Sequence, residues 1–152
     1  MDETDYKGFS LWGSHDIPHY YGDYVRQFFV AAAALSVLAI PVWGDLLPFG
    51  TLVQVGSAVV LVLLAGLTNP HGRGTLLLDA AVAGLGLLFI EAAAISFYQT
   101  QPFMLFVARE AVALLLLFAF YFSVKTVRAM SMRQVGHPFK VGEFDEQNSD
   151  KK

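Results

Sequence analysis

The chain predicts an all-α fold: an integral membrane bundle of four transmembrane helices with the N and C termini both cytoplasmic. Three observations carry this. Hydrophobic residues make up 55% of the 152 positions, more than a soluble chain of one-domain length usually holds. They gather into four long runs, residues 28–43, 46–67, 75–98 and 102–124. Each run is near or above the ~20 residues that a helix needs to cross ~30 Å of hydrocarbon. The runs also lack the polar–apolar alternation of a transmembrane β-strand.

Residues 1–24 are expected to form a cytoplasmic, interfacial segment. Phe9, Leu11, Trp12, Ile17 and the tyrosines Tyr6, Tyr20, Tyr21 and Tyr24 are mixed there with Gly, Ser, His and Asp. That mixture suits an aromatic belt lying on the headgroups; the alternative is a segment that folds under the bundle or packs on a neighbouring subunit. It is acidic rather than basic, so it does not read as a cleaved signal peptide, and the first span is expected to direct insertion.

The transmembrane domain covers residues 25–128. Span one, residues 25–43, is short, but Tyr24 and Arg26 at its start can snorkel to the headgroups. Pro41 removes a backbone donor and kinks or ends it. Span two, residues 46–67, has Pro48 in its first turn. Residues 68–74 read Thr-Asn-Pro-His-Gly-Arg-Gly, a tight turn. Span three is residues 75–98. Span four, residues 102–124, starts at Pro102 and continues as a helix past the membrane to about Arg133. Residues 129–152 form a polar cytoplasmic tail carrying Glu143, Asp145, Glu146 and Asp150, flexible when alone.

Basic residues set the orientation. Lys7 and Arg26 precede span one, Arg73 lies between spans two and three, and Lys125, Arg128, Arg133, Lys140, Lys151 and Lys152 follow span four. The other two loops hold no Lys or Arg. The positive-inside rule then puts both termini in the cytoplasm.

Three charges interrupt the apolar runs: Glu91 in span three, and Arg109 and Glu110 in span four. Charge in hydrocarbon is costly, so each should be paired or face a polar space. Counting from the external ends places Ser36, Gln54, Glu91 and Arg109 ~10 Å inside the outer boundary, one on each helix. Spans three and four are joined by very few residues and should pack antiparallel, so Arg109 is expected to pair with Glu91. Glu110 is turned ~100° away from Arg109 around the helix. Both cannot face the same partner equally, so one of the two pairs with Glu91 while the other turns to Gln54, Ser36, a cavity or another subunit. Ala80, Gly84, Leu87, Glu91 and Ala94 form a stripe that permits close helix approach. The aromatic residues of span four, among them Phe118, Phe120, Tyr121 and Phe122, are expected to face lipid or a neighbouring subunit. Asp79, with Arg73 and His71 nearby, reads either as an acid in the first helical turn complementing the dipole or as the mouth of a cytoplasmic ion path.

Several function classes are excluded or disfavoured. The chain has no cysteine, which removes disulfides, iron–sulfur clusters and cysteine zinc sites. A net charge of −3 argues against nucleic acid as a partner. His15, His19, His71 and His137 all lie outside the hydrocarbon, so no haem, metal or other cofactor is expected. No catalytic motif or nucleophile–base pair stands out, and the chain is not expected to be an enzyme. Two classes remain. One is a small homo-oligomeric channel or transporter, with Glu91 and Glu110 interacting with ions or protons, Arg109 pairing with them, and Gln54 and Ser36 as polar lining. The other is a non-catalytic accessory or scaffold subunit whose charged layer fixes the fold or an interface. In both, the partners are the bilayer, further copies of the chain, and proteins recruited at the cytoplasmic termini. The cysteine-free composition favours a prokaryotic plasma membrane.

Overall fold

The computed structural model describes residues 20–68 and 73–132; the expectations for residues 1–19, for the turn containing His71, and for the tail beyond residue 132 lie outside these. The described residues form four helices: α1 Gly22–Trp43, α2 Thr51–Leu67, α3 Arg73–Ser96 and α4 Phe103–Ser131. α1, α3 and α4 are long and apolar enough to cross a membrane, and α2 is a shorter apolar helix of 17 residues. Helix α4 runs on past residue 124, as its sequence predicts.

The boundaries differ most from the sequence reading at the start of α2, and α3 runs from Arg73 to Ser96 instead of over residues 75–98. α2 begins at Thr51 rather than at residue 46, and Pro48 sits in a turn instead of a first helical turn. Gly44 (φ 85, ψ −161) and Gly50 (φ 87, ψ 170) explain this. Both lie in a backbone region that is essentially open only to glycine. They bend the chain sharply at each end of the turn, which folds Leu46 back into the bundle at 1% exposure. Pro41 lies in the last turn of α1, which stops two residues later.

α4 packs between α1 and α3, α2 packs on α1, and α2 and α3 barely meet. Between helices in lipid there is little hydrophobic driving force, so close packing and interhelical hydrogen bonds must hold the bundle. Alanines supply the close packing: Ala32 and Ala39 on α1, Ala83 and Ala94 on α3, and Ala113 and Ala119 on α4 are all buried. Gly84 and Gly86 lie against Phe120 and Leu116, where an added Cβ would come within 3.2 Å of each. The α1–α4 seam is aromatic. Phe28 stacks on Phe118 and Phe122 (centroids 5.5 and 5.9 Å), and Tyr24 stacks on Phe122 (5.4 Å). Phe118 and Phe122 therefore serve the seam rather than simply facing outward, because Tyr24 and Phe28 present flat faces to them. Where α2 and α3 part, an apolar cleft of about 540 Å³ opens between Val53, Val60, Leu85 and Phe89.

Candidate functional site

The polar groups at the end of the bundle that holds the α1–α2 turn form one hydrogen-bonded layer built around the peptide of Leu46. Gln54, fully buried on α2, accepts from the Leu46 N–H at 2.6 Å through Oε1 and donates from Nε2 to the Ser36 carbonyl of α1 at 2.6 Å. On the other side of the same residue, Arg109 of α4 donates from Nε to the Leu46 carbonyl at 2.6 Å. Its Nη1 donates to the Gln101 side chain and, at 3.4 Å, to the Ala93 carbonyl. The guanidinium also lies 5.6 Å from the centroid of the Phe97 ring. Arg109 thus sits at the C-terminal end of α3, where carbonyls point outward and the helix dipole favours a cation. The Ser36 hydroxyl returns to Ala32 O at 2.7 Å in its own helix. Ser36, Gln54 and Arg109 do meet at one level, and the four helices are tied together there.

Glu91 is not part of this layer. Among the described residues neither Glu91 nor Glu110 forms an ion pair, and Arg109 bonds only to neutral acceptors. The expected Glu91–Arg109 pair is therefore corrected. The cause is rotational. α3 buries Ile90, Ala93 and Ala94, leaving Glu91 at the edge of that stripe and partly exposed. Arg109 belongs to the inward stripe of α4 with Ala108, Val112 and Ala113. Glu110, one position on, is partly exposed as well, and it lies close enough to Glu91 for their charges to interact. Ser36 and Gln54 border the α2–α3 cleft, and their side-chain polar atoms are engaged by backbone groups.

A second polar cluster lies at the opposite end. Asp79 is the seventh residue of α3, not a first-turn residue, and it is fully buried. Its Oδ2 lies 2.9 Å from Thr68 Oγ1, at the end of α2. The Thr68 carbonyl accepts from Arg26 of α1. Arg73, expected beside Asp79, instead donates to Ser131 Oγ at 2.8 Å on the surface. The antiparallel register of α3 and α4, marked by Arg73 with Ser131 and Gly86 with Leu116, puts the buried Ser123 level with Asp79. Four atoms here have no hydrogen-bond partner among the described residues: Tyr20 Oη, Arg26 Nε, Asp79 Oδ1 and Ser123 Oγ. Tyr20 lies ahead of α1, and burial raises its phenol pKa to about 12.

Ser123 and Gln101 were not singled out from the sequence, and Tyr20, Arg26 and Thr68 were read only as interfacial, orienting and turn residues. The usable signal was Thr68 directly after an apolar run, a hydroxyl placed where a helix must end. Among the described residues no group of three or more His, Cys, Asp or Glu could hold a metal ion. Comparison with protein-family models, with curated proteins and with solved structures finds no match to this chain.

Proposed function

We propose that the chain is a non-catalytic subunit of a membrane assembly that docks on a neighbouring membrane protein through the outer face of α3 and α4. In this reading it crosses the bilayer four times with both termini in the cytoplasm, in a prokaryotic plasma membrane. The short α2 is helped across by the apolar turn that precedes it, and the distribution of basic residues supports the orientation.

One observation carries the docking proposal. Glu91 and Glu110 stand partly exposed on adjacent helices of the surface that would meet lipid, with no basic partner among the described residues. Arg109, the cation expected to neutralise them, is committed to carbonyls inside the bundle. Carboxylates in that position are costly in hydrocarbon. A partner helix presenting Lys or Arg at the same depth removes the cost.

A second reading uses the same face. If copies of the chain associate through it, no basic side chain comes with them, and the glutamates converge into an acidic ring of the kind that draws cations through a pore. Purification from native membranes separates the two. The first reading expects a stoichiometric second polypeptide that is lost from the Glu91→Gln/Glu110→Gln variant while the fold stays intact. A homo-oligomer without a second polypeptide, passing cations in proteoliposomes in a Glu91-dependent way, would overturn it in favour of the second.

A further inference from the structure

Thr68 carries a proton-counting argument. Its N–H already donates to Leu64 O at 2.9 Å. Its hydroxyl oxygen lies 2.8 Å from the same carbonyl and 2.9 Å from Asp79 Oδ2. A hydroxyl has one hydrogen, and a carbonyl can only accept. If that hydrogen goes to Leu64 O, the contact with Asp79 is a hydrogen bond only when Oδ2 itself holds a proton and donates it. If it goes to Asp79, Leu64 O still keeps the Thr68 N–H. The same heavy atoms therefore satisfy two hydrogen-bond patterns that differ by one proton.

The surroundings select between the two. Asp79 is wholly buried and makes no ion pair among the described residues. Among the described residues, the charged and titratable groups that face it are few. From α1 there is Arg26, which gives one nitrogen to Thr68 O and pairs with Asp23 at 3.5 Å. Ahead of α1 there is Tyr20. α2 contributes Thr68, and α4 contributes Ser123 and Thr126, none of which titrates near neutrality. On α3 itself, Arg73 is turned away to Ser131. A buried carboxylate with no ion pair is costly, whereas the neutral acid is much less so. Yet Tyr20 Oη, Arg26 Nε and Ser123 Oγ, at the same end of the bundle, are three buried donors without a partner among the described residues.

We propose that Asp79 is a proton-binding site, holding a proton on Oδ2 that it donates to Thr68 Oγ1, and exchanging that proton with water past Tyr20 and Arg26. When the proton leaves to water, the carboxylate accepts a hydrogen bond from the Thr68 hydroxyl, which keeps its hydrogen. Nothing else is consumed. The site lies at the end of the bundle opposite the Glu91–Glu110 face and is independent of the docking proposal.

Infrared difference spectroscopy of the full chain in lipid bilayers tests this. At neutral pH the wild type should show the carbonyl stretch of a protonated carboxylic acid, shifted in deuterated water. Asp79→Asn should remove it, and Glu91→Gln/Glu110→Gln should leave it. Thr68→Val should keep the band but move it to higher frequency, because the acid loses its acceptor. Wild type labelled with carbon-13 aspartate covers the case in which Asp79→Asn does not fold: the label should shift the band. A folded wild type without the band, or a band that neither the substitution nor the label alters, would overturn the proposal.

Discussion

Arg109 is held by geometry that an ammonium group cannot reproduce. Its Nε reaches Leu46 O while a terminal nitrogen of the same planar fork reaches Gln101 and Ala93. Arg109→Lys therefore leaves at least one buried acceptor empty and should cost on the order of 2–3 kcal/mol, read as a lowered unfolding midpoint in detergent. Because Glu91 and Arg109 share no hydrogen-bond partner, a double-mutant cycle of Glu91→Gln with Arg109→Lys should be additive to within about 0.5 kcal/mol. Coupling well above that would restore the ion pair. Tyr20 gives a pH dependence of definite sign. Its phenol titrates at about 12 in the folded chain against an ordinary 10.0. Below about pH 10 both states are neutral and the contribution is complete. Above it the unfolded chain ionises first, so stability should fall as pH rises from about 10 to about 12, and Tyr20→Phe should flatten that part of the profile.

The turn between α1 and α2 behaves as a structural element in its own right. Its bends rest on two glycines in conformations that other residues hold only under strain. Gly44→Ala and Gly50→Ala should each cost about 1–3 kcal/mol in unfolding experiments, although nothing lies within 4 Å of an added Cβ at either place. Clash would predict no effect there; backbone strain predicts a clear one. The level of Ser36, Gln54 and Arg109 was legible in the sequence, because a helix rises uniformly and residues can be counted inward from the loops. What Arg109 bonds to was not. Rotation of α3 against α4 is set by which small residues interlock, and one position of difference, Glu91 rather than Ile90, decides between core and edge. Asp79 was misplaced for a simpler reason: α3 starts at Arg73, which moves Asp79 into the second turn and inward. Its neighbours come from α1, α2 and α4, at sequence separations that local pattern does not encode.

At the scale of the whole molecule, the two ends of the bundle differ in kind. The end built around Leu46 is saturated, none of the buried polar atoms of its layer lacking a partner, and the Asp79 end keeps donors without a partner among the described residues. In detergent, where water reaches both carboxylates, substituting Glu91 and Glu110 by Gln should change the unfolding free energy by less than about 0.5 kcal/mol. The saturated end also implies an order of events during synthesis. Gln54 follows Leu46 by 8 residues, so the N–H side of that peptide is secured as soon as the first hairpin forms. The carbonyl side waits for a residue 63 positions later. The α1–α2 hairpin on its own therefore has its turn half latched, and only the packing of α4 closes it. A chain truncated before Arg109 should therefore stay open to proteolysis at this turn, whereas one that includes α4 should be protected there.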